Sequence, residues 1–215
     1  MKKVLVLVAA ATIFGSLAFA EKVMEVGVKG GLLLNAGTEL KNFSNTKVTL
    51  GGDVGIFGHF GLVDLGPGTL SLQPEVFFSF GNGAKTEFKD EVNDENYKIT
   101  FKYTSLDIAL LIGYDIPVGK ISIRPFLGPK VGIPIGKIKE EVAGYTYEIK
   151  TKGATVGMDF GCGIAVPLGK FVLGGDIRYG IDFNKVKAKS ESGDRYNDAL
   201  RRGALGINIT AGYRF

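Results

Sequence analysis

Leu205-Gly206-Ile207-Asn208-Ile209-Thr210-Ala211-Gly212-Tyr213-Arg214-Phe215 alternates along its whole length. Leu205, Ile207, Ile209, Ala211, Tyr213 and Phe215 share one parity, and Asn208, Thr210 and Arg214 share the other. Successive side chains of a strand point to opposite faces, so this stretch predicts a β-strand with one apolar and one polar face. Its length exceeds the five or six residues of a typical globular strand.

The same period runs back through the chain. Residues 171–183 set Phe171, Leu173, Ile177, Tyr179, Ile181 and Phe183 against Asp176, Arg178 and Asp182, and residues 153–166 set Val156, Met158, Phe160, Cys162 and Ile164 against Thr155, Asp159 and three glycines. Residues 121–134 oppose Ile121, Ile123, Leu127, Val131 and Ile133 to Ser122, Arg124 and Lys130, and residues 97–115 oppose Leu106, Ile108, Leu110, Ile112 and Tyr114 to Asp107, Gly113 and Asp115. Residues 69–81, 48–62 and 23–35 complete the set, with Glu75, with Asp53 and His59, and with Glu25 and Lys29 on their polar parities. The pattern predicts eight strands of about 12–15 residues, each able to cross a bilayer at a tilt. Only 195–202 carries a trace of helical spacing.

Long polar connections, near 36–47, 82–96, 135–152 and 184–203, alternate with three short turns at 63–68, 116–120 and 167–170. All three turns contain Pro and Gly, which suit tight reversals. Strict alternation places every long loop on one side and every turn on the other. The fold expected is all-β: an eight-stranded antiparallel up-and-down transmembrane β-barrel with four long external loops and three short periplasmic turns.

Composition excludes several other classes. Thirty-two glycines occur without a collagen period, net charge is only +4, and one cysteine and one histidine rule out a disulfide framework and any multi-histidine metal site. No nucleic-acid-binding signature and no cofactor motif is present. Lys2 and Lys3 precede an apolar run that closes on Ala18-Phe19-Ala20, the form of a secretory signal peptide. Residues 1–20 are expected to be cleaved, leaving 21–215 as the barrel domain.

Parity alone does not decide which face meets lipid. A secreted lipocalin-like barrel also has eight strands, with the apolar face inside. Here the polar parity mixes glycines with charges, which suits a crowded lumen, and the apolar parity is nearly free of charge, as lipid contact requires. Phe60, Phe80, Phe101, Tyr114, Tyr179, Phe183, Tyr213 and Phe215 lie near strand ends on the apolar parity, where interfacial girdles sit. The lumen then carries Glu25, Lys29, Asp53, Glu75, Asp107, Arg124, Lys130, Asp159, Asp176, Arg178, Asp182 and Arg214. An eight-stranded barrel is just wide enough for side chains to fill, so these are expected to form an ionic plug. A proton or ion pathway is the alternative use of the same residues.

The last strand resembles the C-terminal recognition signal of bacterial outer-membrane proteins: terminal Phe215, preceded by Tyr213, Ala211, Ile209 and Ile207 at alternate positions. That resemblance implies insertion by the barrel-assembly machinery. The chain from residue 21 is similar to the small porin-like outer-membrane β-barrel domain family, of the PorT and OmpA/OmpX-like kind. The stretches that carry the likeness are Leu72-Gln73-Pro74-Glu75, Leu106-Asp107-Ile108, Arg124-Pro125-Phe126-Leu127-Gly128-Pro129, Gly161-Cys162-Gly163 and Asp176-Ile177-Arg178-Tyr179, with Ala109 where the family usually has Pro. It implies location in the outer membrane, contact with membrane lipid, and no set activity; contact with lipopolysaccharide phosphates rests instead on the basic residues of 185–202.

His59 falls on the lumen parity, where it is expected to hydrogen-bond within the plug, away from the lipid-facing rim where lipid-modifying barrel enzymes hold a His-Ser pair, and Cys162 falls on the apolar parity. Asp90, Glu91, Asp94 and Glu95, and the bases of 185–202 (Lys185, Lys187, Lys189, Arg195, Arg201, Arg202), read as solvated loop. The function expected is non-enzymatic: envelope integrity, adhesion or recognition of an unknown surface ligand through the loops. A narrow porin-like channel for small solutes is the alternative, and a soluble carrier or a lipid-modifying enzyme stands further off.

Overall fold

The computed structural model describes residues 22–35, 39–40, 46–90, 95–142, 145–189 and 196–215. The expected signal peptide, 1–20, lies outside them. Eight staves form the barrel: β1 Lys22–Asn35, β2 Thr49–Leu65, β3 Gly68–Asp90, β4 Glu95–Val118, β5 Ile121–Val142, β6 Thr155–Leu168, β7 Phe171–Asp182 and β8 Gly203–Arg214. Each pairs antiparallel with the next in sequence, and β8 pairs with β1 (Val26 opposite Tyr213, Leu34 opposite Leu205), which closes the sheet. Closure removes the free edges that would strand backbone N–H and C=O groups in hydrocarbon.

The side-chain distribution is inverted relative to a water-soluble barrel. Ile209 is 75% exposed and Leu32 58%, whereas Glu75 is 1% exposed and Asp107 fully buried. Burying a charged interior beneath an exposed aliphatic surface is stable only if the surroundings are apolar. That observation separates the transmembrane barrel from the lipocalin-like alternative.

The three short turns are two-residue reversals. Gly66, Gly119 and Gly169 open them with φ of 63°, 62° and 67°, at the first loop position, where the primed hairpin turns call for a positive φ. The opposite end departs from expectation. Much of the four connections read as loop is strand: β3 and β4 run to 23 and 24 residues, and Asn82 to Asp90 pair with Tyr103 to Glu95. The outer part of β5 pairs with Tyr145–Lys152, which pairs in turn with Val186–Lys189, then Tyr196–Arg201, then Glu39–Leu40. The segment with a trace of helical spacing is therefore strand as well. Above the bilayer both faces of a sheet meet water, so the apolar alternation that betrays a strand within the membrane is missing.

The outer face also differs at one girdle position. Phe60 is only 3% exposed. Its ring lies back over Gly58, whose absent Cβ would fall 2.9 Å from it, with Pro74 beside that position. Phe80 covers Gly52 in the same way, at 2.7 Å, while remaining 47% exposed. Phe183 and Phe215 stand exposed, Tyr114, Tyr179 and Tyr213 half-buried, and the Phe101 side chain lies outside the described residues.

Candidate functional site: the charged lumen

The inner face of a closed eight-stranded sheet converges, so a side chain on one stave reaches the stave opposite. Glu75 of β3 is the clearest case. It accepts hydrogen bonds from Arg178 of β7 (2.6 and 3.1 Å), from Lys29 Nζ of β1 (3.1 Å) and from Gln73 Nε2 (2.7 Å). Arg178 also donates to Asp176 at 2.8 and 3.0 Å, and Asn208 Nδ2 donates to the same carboxylate at 2.8 Å.

From this centre the network continues toward both ends. Outward, Arg178 meets Asp159 at 3.6 Å, Lys130 joins Asp159 and Asp182 at 3.1 and 3.3 Å, and Arg202 joins Asp182 and Asp107 at 3.7 and 3.0 Å. Ser79 and Ser105 donate to Asp107 at 2.7 and 3.2 Å. Toward the periplasmic turns, Arg124 donates to Gln73 Oε1 at 2.5 Å and to Asp115, and His59 Nε2 lies 3.1 Å from Asp115 and 3.2 Å from Arg124. The path Asp115, Arg124, Gln73, Glu75, Arg178, Asp159, Lys130, Asp182, Arg202, Asp107 thus alternates in sign, with one amide between Arg124 and Glu75. Such alternation lets each buried charge face opposite charges, without which burial would be prohibitive.

Of the twelve lumen residues singled out in the sequence, ten are buried. Arg124 and Arg214 are half-buried near the periplasmic mouth. Asp53 and Glu25 stand apart from the main path. Among the described residues both Asp53 carboxylate oxygens lack a hydrogen-bond partner, and Glu25 meets Arg214 at 3.8 Å.

Two charged residues of the network, Asp115 and Arg202, lie beyond the twelve singled out in the sequence. Asp115 and His59 are both on the lumen parity, and the fold brings them together, with His59 Nε2 3.1 Å from the Asp115 carboxylate. Arg202 reads in the sequence as an external-loop base, yet it is 3% exposed and pairs with two lumen aspartates. It precedes β8 outside any apolar alternation, so parity gives no signal. The lumen is also less uniformly polar than expected. Phe77, Ala109, Leu111 and Phe126 pack together inside it, and Phe126 and Phe77 lie beneath Arg178 and Lys29 at 5.2 and 4.9 Å, within cation–π reach. Ala109, the departure from the family pattern, is part of that cluster.

Glycine makes room for this interior. A Cβ on Gly180 would fall 2.5 Å from Asp159 Oδ1 and 2.7 Å from Lys130 Nζ, one on Gly132 2.6 Å from Asp107 Oδ1, and one on Gly161 2.8 Å from the Phe126 ring. Among the described residues no group of three or more His, Cys, Asp or Glu could hold a metal ion. Cys162 is exposed on the outer face. Glu91, Asp94 and Arg195 lie outside the described residues, as do the side chains of Asp90 and Glu95.

An outer-membrane protein β-barrel domain model matches residues 19–215. The chain belongs to that family. It is an outer-membrane protein. Among solved structures, it is similar to a major outer membrane protein from Thermus thermophilus, at 14% identity and a TM-score of 0.54, covering 91% of this chain and 100% of that one. It is likewise similar to the outer membrane protein OprG from Pseudomonas aeruginosa, at 13% identity and a TM-score of 0.53, covering 90% and 95%. At these identities the likeness shows the barrel fold. No curated protein matches the sequence significantly.

Proposed function

We propose that this protein is a non-enzymatic outer-membrane barrel whose lumen is plugged, and that it serves envelope integrity, adhesion or surface recognition through its extracellular strands and loops. The observation that carries this reading is the charge-alternating path from Asp115 to Asp107. It joins opposite staves through the centre of the barrel (Glu75 to Arg178, 2.6 Å), with cavities of about 30 and 20 Å³ along it. A volume of that size holds about one water. His59 Nε2 is engaged by Asp115 and Arg124, and the ring is buried in the lumen, away from the lipid-facing surface. Outside the lipid, lipopolysaccharide is the surface the extracellular end meets first, and the C-terminal strand with Ile207, Ile209, Ala211, Tyr213 and Phe215 is proposed to engage the barrel-assembly machinery.

Planar-bilayer recording tests the plug. Purified protein is expected to give no steady conductance steps. Sustained nanosiemens openings would establish the alternative, a narrow channel for small solutes.

A further inference from the structure

At the periplasmic end the lumen opens into a cup of about 290 Å³. Lys120 of the β4–β5 turn, Arg124 of β5 and Arg214 of β8 line it, with Asp115 the single carboxylate among its lining residues. Arg124 lines both the cup and the 30 Å³ cavity beneath, and is held in place by Asp115 and Gln73.

The positive charge around this cup is only partly answered. Asp115 is engaged with Arg124 and His59. Arg214 meets Glu25 at 3.8 Å, its side chain is 34% exposed, and its Nε lacks a hydrogen-bond partner among the described residues. Lys120 is exposed on its turn. Among the lining residues three cations meet one carboxylate, Asp115; Glu25 and Asp64, the latter accepting from the lining Thr69 at 2.8 Å, are not among them. Pro117 and Pro167 form part of the wall, and low-dielectric walls concentrate such a field.

We propose that the cup is a periplasm-facing binding site for a phosphate group, held by the Arg214 guanidinium and the Lys120 ammonium over the positive floor that Arg124 supplies. A guanidinium fork from a stave and a separate ammonium from a turn suit the tetrahedral oxygens of phosphate. The phosphate could be borne by a periplasmic solute or by a phospholipid headgroup of the inner leaflet. The site is independent of what the extracellular loops do.

His59 lines the cup and is the sole histidine of the chain, so its imidazole NMR resonance is an unambiguous reporter in untagged protein. In maltoside micelles, at fixed pH and ionic strength, titration with inorganic phosphate is expected to move that resonance saturably, while chloride does not. Arg214→Gln and Lys120→Gln should each weaken binding at least tenfold, with heat-modifiable gel mobility showing that both variants still fold. If a headgroup is the source, nanodiscs containing phosphatidylglycerol will shift the resonance without added phosphate, and Arg214→Gln will reverse the shift. Absence of a saturable shift in both settings, or a shift that survives both substitutions, overturns the proposal.

Discussion

Glu75 shows how much one lumen residue carries. Its carboxylate is the meeting point of Lys29, Arg178 and Gln73, with both partner cations nearly inaccessible to solvent. Glu75→Leu leaves two buried cations short of their shared anion, and removing one partner of a buried pair costs about 3–5 kcal/mol. A large drop in the guanidinium unfolding midpoint in detergent is therefore expected. Arg124→Leu should cost less, because its side chain is 15% exposed near the mouth and water can replace part of what is lost. An unchanged midpoint for Glu75→Leu would count against a packed ionic interior. Glu75 is legible as a lumen group from parity alone. Its partners are not, because Arg178 stands 103 residues away and only closure of the sheet brings the two together.

At the scale of the strand, two kinds of glycine make different demands. Gly66 has φ +63° and open space where a Cβ would stand, so Gly66→Ala should cost only the strain of a left-handed alanine, about 1 kcal/mol. Gly161 is extended, but a Cβ there would press into the Ile177 carbonyl oxygen and the Phe126 ring. Gly161→Ala is expected to lower the thermal midpoint well beyond Gly66→Ala; equal losses would show that the barrel wall relaxes freely. The last strand allows a different test. Tyr213 packs edge-on against Phe171 and Phe215, at 5.6 and 5.2 Å. If the alternation ending at Phe215 is an assembly signal, Phe215→Ala should reduce the heat-modifiable fraction in the outer membrane while detergent-refolded protein keeps its stability. Staves are readable in the sequence wherever one face meets lipid. The strand extensions above the membrane are not, since water on both sides imposes no alternation.

For the whole molecule, the plug predicts a connected behaviour. Arg178 and Glu75 form the junction between the outer and periplasmic halves of the charge path. The double variant Arg178→Ala with Glu75→Ala removes that junction while keeping the count of opposite charges balanced. It should show measurable single-channel steps where the parent protein shows none. A double variant as silent as the parent would mean that the Phe77, Leu111 and Phe126 cluster, not the ion pairs, closes the lumen.

Period-two alternation, glycine-rich polar parity and the short-long rhythm of connections determined the strand count, the stave order, the turn side and which residues face inward, because each is a local consequence of pleat geometry and of apolar contact with lipid. Which charge meets which was decided only by the closed barrel, as were the recruitment of Arg202 into the lumen, the laying of Phe60 over Gly58 and the cup at the periplasmic mouth. Those depend on the shear and diameter of the sheet, which bring side chains from distant parts of the chain across a lumen no wider than the side chains themselves.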